Sequence, residues 1–428
     1  AGTKLIISDM APVFMTQSNG TVFFKSMLAT GGGYKLWKTD GTESGTALVK
    51  EFNGQSYLFN LTDYKNRLIF SANDYTITNN PIYSVWSSDG TTDQTLVIKA
   101  TNGNNNTIDN FVVVGDILFF SGNVDSNGRE LWRTDGTASG TVIVKDINTT
   151  SISAGSAPSN LTNINGTLFF SASGNTTGSE LWKSDGTATG TVLVKDINVG
   201  SGSSSPSNFV NIGGILLFAA SDGSSGTELW RSDGTSAGTI KIKDINSGSG
   251  SSSPSNLTNV NGTLFFTAND GSSGVELWKS DGTASGTVKV KDINSGLNSS
   301  SPTNLTNYNG VLFFSATNGT NGVELWKSDG TSAGTVMVTD LNPGAGSSSP
   351  TELTVSNGAL FFSANNGTIG TELYVYSDNR SPSGLSISTA SVFENSISGS
   401  TVGAFSTTDP DISDTFTSVS YTHLTLPT

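Results

Sequence analysis

Glu180-Leu181-Trp182-Lys183-Ser184-Asp185-Gly186-Thr187 is a phrase that returns unchanged at Glu276–Thr283 and Glu324–Thr331. Its tryptophan recurs at Trp37, Trp86, Trp132, Trp182, Trp230, Trp278 and Trp326, in steps of 49, 46, 50, 48, 48 and 48 residues. One more step of 48 reaches Tyr374, in Glu372-Leu373-Tyr374, which makes eight copies. A fixed period of this size is the signature of a repeat architecture and outranks any local reading.

Outward from the phrase, one well-formed unit runs from Ser207 to Ile245. Four short apolar runs, Asn208–Ile212, Ile215–Ala220, Glu228–Ser232 and Thr239–Ile245, are separated by Gly213-Gly214, by Asp222–Thr227 and by Asp233–Gly238. The separators are rich in residues that tolerate positive φ, so the unit predicts four antiparallel strands joined by tight turns. Leu264-Phe265-Phe266 and Leu277-Trp278 put large apolar groups on both faces of the sheet. A sheet with one wet face alternates apolar and polar residues. Sheets apolar on both faces must be sandwiched, which predicts an all-β, eight-bladed β-propeller of four-stranded antiparallel blades.

The ends support a ring over an open stack. The last unit supplies three strands, at Glu352–Val355, Ala359–Ser363 and Glu372–Tyr376, before a polar linker. Residues 4–9 resemble the fourth strand of the other units, such as Thr191–Ile197, and are expected to pair with the last blade and close the ring. Pro158, Pro206, Pro254, Pro302 and Pro350 precede the first strand of their units and are read as setting its direction. Blades one and two depart from the repeat: Lys35 and Ser84 stand in place of the glutamate, and the connection at Asn53–Ser56 is short.

The bulk numbers narrow the function classes. Net charge is −14, which disfavours nucleic acid and suits cations or basic partners. The chain has no Cys, hence neither a disulfide framework nor thiol chemistry. No run of 18 apolar residues exists, so membrane insertion is not expected. The sequence begins at Ala1 without a signal-peptide pattern, as a processed secretory protein or an excised fragment would.

Glu-Leu-Trp-x-x-Asp-Gly-Thr-x-x-Gly-Thr, with the Val-x-Val-Lys-Asp-Ile that follows it, resembles the ELW-x-x-DGT repeat of large secreted bacterial surface proteins, over residues 1–378. That resemblance implies a propeller in an exported, modular protein, secreted or at the cell surface. After a linker at 379–384, residues 385–419 resemble the truncated start of a cadherin-like β-sandwich. The resemblance implies calcium ligands at Glu394, Asp409 and Asp411. Residues 420–428 resemble translated adapter sequence, a non-native tail.

The only histidine is His423, in that tail, so Ser-His-Asp and Cys-His catalysis and ordinary zinc sites are not expected. The Asp-Gly-Thr aspartates, Asp40, Asp89, Asp135, Asp185, Asp233, Asp281 and Asp329, are either a ring of ligands or, as favoured here, acceptors within their own turns. The tryptophans are read as core between blades rather than sugar-stacking faces. The loop between second and third strands holds Asp125 and Glu130, Asp222 and Glu228, and Asp270 and Glu276. Hard oxygen ligands around a glycine bend suit calcium, set against a solvated turn with the glutamate facing the next blade. Asn160, Asn256 and Asn304 sit in Asn-x-Thr sequences attributed to turn chemistry.

The expectation is therefore a non-enzymatic extracellular interaction or adhesion module that binds a protein or glycan through its loop faces, next to other domains of a longer polypeptide. Two alternatives stand beside it. One is a structural subunit of a filament or surface layer. The other is a glycoside-active enzyme that uses carboxylates around the channel.

Overall fold

The computed structural model describes residues 12–27, 33–52, 57–74, 82–101, 108–125, 127–151 and 154–377, with two further strands at Gly384–Ile387 and Phe405–Thr408. The regular structure described is entirely β, and among the described residues no helix is long and apolar enough to cross a membrane. Seven four-stranded meanders and one of three strands follow each other along the chain, each with its strands in sequence order. This is the eight-bladed β-propeller that the repeat predicts.

Blade five shows how closely sequence dictates strand. Its strands are Ser207–Ile212, Ile215–Ser221, Thr227–Ser232 and Ile240–Lys243. The fourth strand stops at Lys243 rather than running to Ile245, and the reason is chemical. The Ile245 N–H donates to Glu228 Oε2 at 2.8 Å and so turns away from the ladder. The first strand carries a bulge between Ser207 and Val210, where the non-glycine residue Asn208 sits at φ 56°. Asparagine visits this left-handed region more readily than most residues. The bulge recurs in every blade, with Phe14, Asn60, Asn110, Asn160, Asn208, Asn256, Asn304 and Glu352 at positive φ.

Blades stack through their first strands, which touch in succession from blade one to blade eight. The cores lie between blades rather than within them. Ile164, Phe169, Leu181, Val194 and Ile197 of blade four pack against Leu216, Phe218, Ala220 and Trp230 of blade five. Both faces of each sheet are thereby covered, as the double-sided apolar pattern requires. Trp86, Trp132, Trp182, Trp230, Trp278 and Trp326 are all buried in these seams.

Polar ties cross the same seams. Asn160 Nδ2 donates to the Pro206 carbonyl and Asn208 Nδ2 to that of Pro254, each at 3.1 Å, so the bulge residue grips the chain just ahead of the next blade. Further out, Lys145, Lys195, Lys243 and Lys291 donate to the carbonyls of Thr191, Thr239, Thr287 and Thr335 at 2.7–2.8 Å. Pro206 and Pro254 thus serve as acceptors at the seams.

The expected closing strand, residues 4–9, lies outside the described residues. So do Glu394, Asp409 and Asp411, residues 379–383 of the linker and the tail at 420–428. Within 385–419, the strand at Phe405–Thr408 pairs antiparallel with Gly384–Ile387.

Candidate functional site

The residues of the repeated phrase are committed to the scaffold. Glu228 is fully buried and accepts from the Ile245 and Ser252 N–H groups and from Ser252 Oγ, at 2.8, 2.9 and 2.7 Å. Glu130 does the same with Ile147 and Ser156, and Glu276 with Ile293 and Ser300. Each carboxylate pins the connection that leads into the next blade. Burial pushes Glu130, Glu180, Glu228 and Glu276 above the usual carboxylate range, while the serine and backbone donors pull the other way.

The calcium-candidate aspartates are engaged by their own loops. Asp222 Oδ1 accepts from the backbone and hydroxyl groups of Ser224 and Ser225, and Oδ2 faces Lys241 Nζ at 3.2 Å. Asp270 repeats this with Ser272, Ser273 and Lys289. Asp125 accepts from the Asn127 N–H at 3.0 Å. Among the described residues no group of three or more His, Cys, Asp and Glu side chains is placed to hold a metal ion. The Asp-Gly-Thr aspartates behave alike: Asp281 Oδ1 accepts from the Thr283 N–H and Oγ1 at 2.9 and 2.7 Å.

Chemistry that the scaffold does not use appears where the repeat is broken. The residue before the phrase's glutamate is Ser179, Thr227, Val275 or Val323 in blades four to seven. In blades one to three that position holds Tyr34, Tyr83 and Arg129. On the first strand, Ser159, Ser207, Ser255 and Thr303 give way to Val13, Phe59 and Asp109. On the second strand, Lys25 stands where blades two to four have Ser71, Ser121 and Ser171. One layer of small polar and aliphatic residues thus gains, on three adjacent blades, aromatic and charged side chains: Lys25, Tyr34, Phe59, Tyr83, Asp109 and Arg129.

This layer opens into a cavity of about 270 Å³ between blades two and three. Tyr57, Phe59 and Tyr83 supply its aromatic wall, and Asn60, Ser71 and Asp109 its polar groups. The rings of Tyr57 and Phe59 are stacked, with centroids 5.7 Å apart and planes at 11°, and they are 42% and 43% exposed. Asp109 is held by Oδ1, which accepts from the Arg129 guanidinium and from Asn110 Nδ2. Arg129 is fixed in turn by donating from Nε to Ser121 Oγ at 2.9 Å. Both bonds fall on the one oxygen, Oδ1. Asn60 Nδ2 bridges Ser71 Oγ and the Ile108 carbonyl, both at 3.1 Å, and ties the two walls together. Sequence reading missed these residues; their signal was the departure from the repeat, register by register.

No family model matches the chain, and no curated protein sequence matches it. Solved structures do. A puromycin hydrolase is similar at 11% identity and a TM-score of 0.41, over 82% of this chain and 58% of that one. The β-propeller domain of the trilobed protease of Pyrococcus furiosus is similar at 10% identity and a TM-score of 0.38, over 78% of this chain and 96% of that domain. An oligogalacturonate lyase in complex with manganese is similar at 11% identity and a TM-score of 0.41, over 86% of this chain and 98% of the lyase. The chain therefore spans little more than half the length of the puromycin hydrolase, 58%. These matches are enzymes or the propeller domain of one. That finding runs against the expectation of a non-enzymatic interaction or adhesion module. Likeness at this level speaks for the fold alone, so function is argued from the chain's own residues.

Proposed function

We propose that the chain is the substrate-handling propeller of a glycan-active enzyme, with the cavity between blades two and three as its sugar site. The observation that carries this reading is the exposed Tyr57–Phe59 stack beside the Asp109 carboxylate in the cavity wall. A pyranose presents an apolar C–H face and a rim of hydroxyls. The face suits stacked aromatic rings, and the hydroxyls suit Asp109, Asn60 and Ser71. A cavity of about 270 Å³ matches a single sugar ring rather than a large cofactor. Asp109 is the carboxylate that meets the substrate, oriented by Arg129 much as bidentate and charge-assisted partners orient other acids. An exported location is consistent with this reading, since structural glycans are met outside the cell.

The test has a binding arm and a turnover arm. Malto-, cello-, laminari- and xylo-oligosaccharides are titrated calorimetrically, and aryl glycosides are assayed for release of the phenol. One series is expected to bind, with Tyr57→Ala and Asp109→Ala each weakening it at least tenfold. Absence of both binding and turnover in the unmodified chain would sink the proposal.

A further inference from the structure

Phe14, on the first strand of blade one, occupies the bulge position that asparagine holds in blades two to seven. Its φ is 54°, a conformation that costs a bulky aromatic residue far more than asparagine. It is also 68% exposed, so the strain is not offset by burial. What the ring does contact is Lys25, whose Nζ lies 4.3 Å from its centroid. The same nitrogen lies 4.5 Å from the ring of Phe59 and 4.6 Å from that of Tyr34, and it donates to the Leu58 carbonyl at 2.6 Å. Lys25 itself is 2% exposed. A buried ammonium enclosed by three rings and a carbonyl is a strong positional anchor, because each cation–π contact gains when the charge is desolvated.

Lys25 therefore links two exposed aromatic residues, Phe59, stacked on Tyr57 at the cavity, and Phe14. We infer that Phe14 is a second sugar-stacking platform, so that the ligand is a glycan chain laid across blades one to three rather than a single sugar. The inference rests on the sugar-site reading above. It accounts for a strained, exposed phenylalanine that the scaffold does not need, since asparagine at this position ties a blade to its neighbour and phenylalanine cannot. The Lys25 ammonium is enclosed by its rings and the Arg129 guanidinium is taken up by Asp109, so neither cation is offered to a uronate and the chain that fits is a neutral one.

The experiment uses the whole chain and the four neutral series from monosaccharide to hexasaccharide. Affinity is expected to rise at least tenfold from monosaccharide to trisaccharide. Phe14→Ala should abolish that rise and leave the monosaccharide Kd unchanged, whereas Tyr57→Ala should weaken every length. Phe14→Asn restores the residue of the other blades, removes the strain and should lose the length dependence in the same way; a matching Tm guards against misfolding. Affinity independent of length, or Phe14 variants that weaken the monosaccharide as much as the hexasaccharide, would overturn the second platform and leave the cavity standing. A chain that binds no glycan of any length removes both readings.

Discussion

At the scale of the residue, the repeat works by assigning each polar side chain a fixed partner, so exceptions are informative. The indole Nε1 of Trp37 donates to Ser26 Oγ at 3.0 Å. The indole nitrogens of Trp86, Trp132, Trp182, Trp230, Trp278 and Trp326 are buried without an acceptor among the described residues. The register explains why. Ser26 of blade one corresponds to Ala72, Ala172, Ala220, Ala268 and Ala316, each opposite the residue two before the tryptophan. A buried donor left unmade costs about 1–3 kcal/mol, and a hydrogen bond made returns about 1 kcal/mol net. Ala220→Ser should therefore raise the stability of the chain by about 1 kcal/mol, by giving Trp230 the partner that Trp37 already has. Urea unfolding of the single variant measures this; a midpoint that falls would mean that the added hydroxyl is buried without finding the indole.

At the scale of the element, the recurrent device is the bulged first strand. Asn208 combines two roles, a tolerated φ of 56° and a bond from Nδ2 to the Pro254 carbonyl at 3.1 Å. The two can be separated. Asn208→Gly keeps the backbone and removes the tie, at a cost of about 1 kcal/mol. Asn208→Ala removes the tie and adds the left-handed penalty, for a total of about 2–3 kcal/mol. The order Asn, Gly, Ala in chemical-denaturation midpoints is the expected result, and Ala as stable as Gly would show that the bulge relaxes. This element also marks how far sequence could be read. Strand number, order and most boundaries were legible because the apolar runs are fixed by period and closed by glycine turns. The αL asparagines were not, because Asn160 and Asn256 look the same in a turn, in a glycosylation sequence and in a bulge; only the strand register separates these. The early stop of the fourth strands was hidden for a similar reason, since Ile245 looks like strand until Glu228 is seen to capture its N–H.

At the scale of the whole molecule, the blades divide into a run that keeps the repeat and a run, blades one to three, that departs from it. The candidate site was invisible as a motif because its parts, Phe14, Lys25, Tyr57, Phe59, Tyr83 and Asp109, come from three repeats and meet only through the stacking of blades. The repeated carboxylates make a prediction of their own. Burial raises the folded-state values of Glu130, Glu180, Glu228 and Glu276 above the ordinary 4.5. Such groups favour the folded state fully below 4.5, and that contribution is lost as pH rises through the raised values. Threonine donors hold Asp135, Asp185, Asp233 and Asp281 below the ordinary 3.8, and serine donors do the same for Asp222 and Asp270 against their partial burial. These aspartates stabilise the fold above 3.8 and lose that contribution as pH falls through the lowered values. The net charge of −14 at pH 7 adds self-repulsion on the neutral side. Stability should thus peak in mild acid, at about pH 4–5, and decline both towards pH 2 and towards pH 8. Scanning calorimetry across this range tests it, with the double variant Glu228→Gln, Glu276→Gln as the control. The variant should lower Tm at the optimum, because the amide cannot accept every bond that the carboxylate accepts, and it should flatten the decline between about pH 5 and 8. A Tm that climbs steadily from pH 4 to 8 would show instead that the buried carboxylates are stabilised as anions by their serine and backbone donors, strongly enough to outweigh burial.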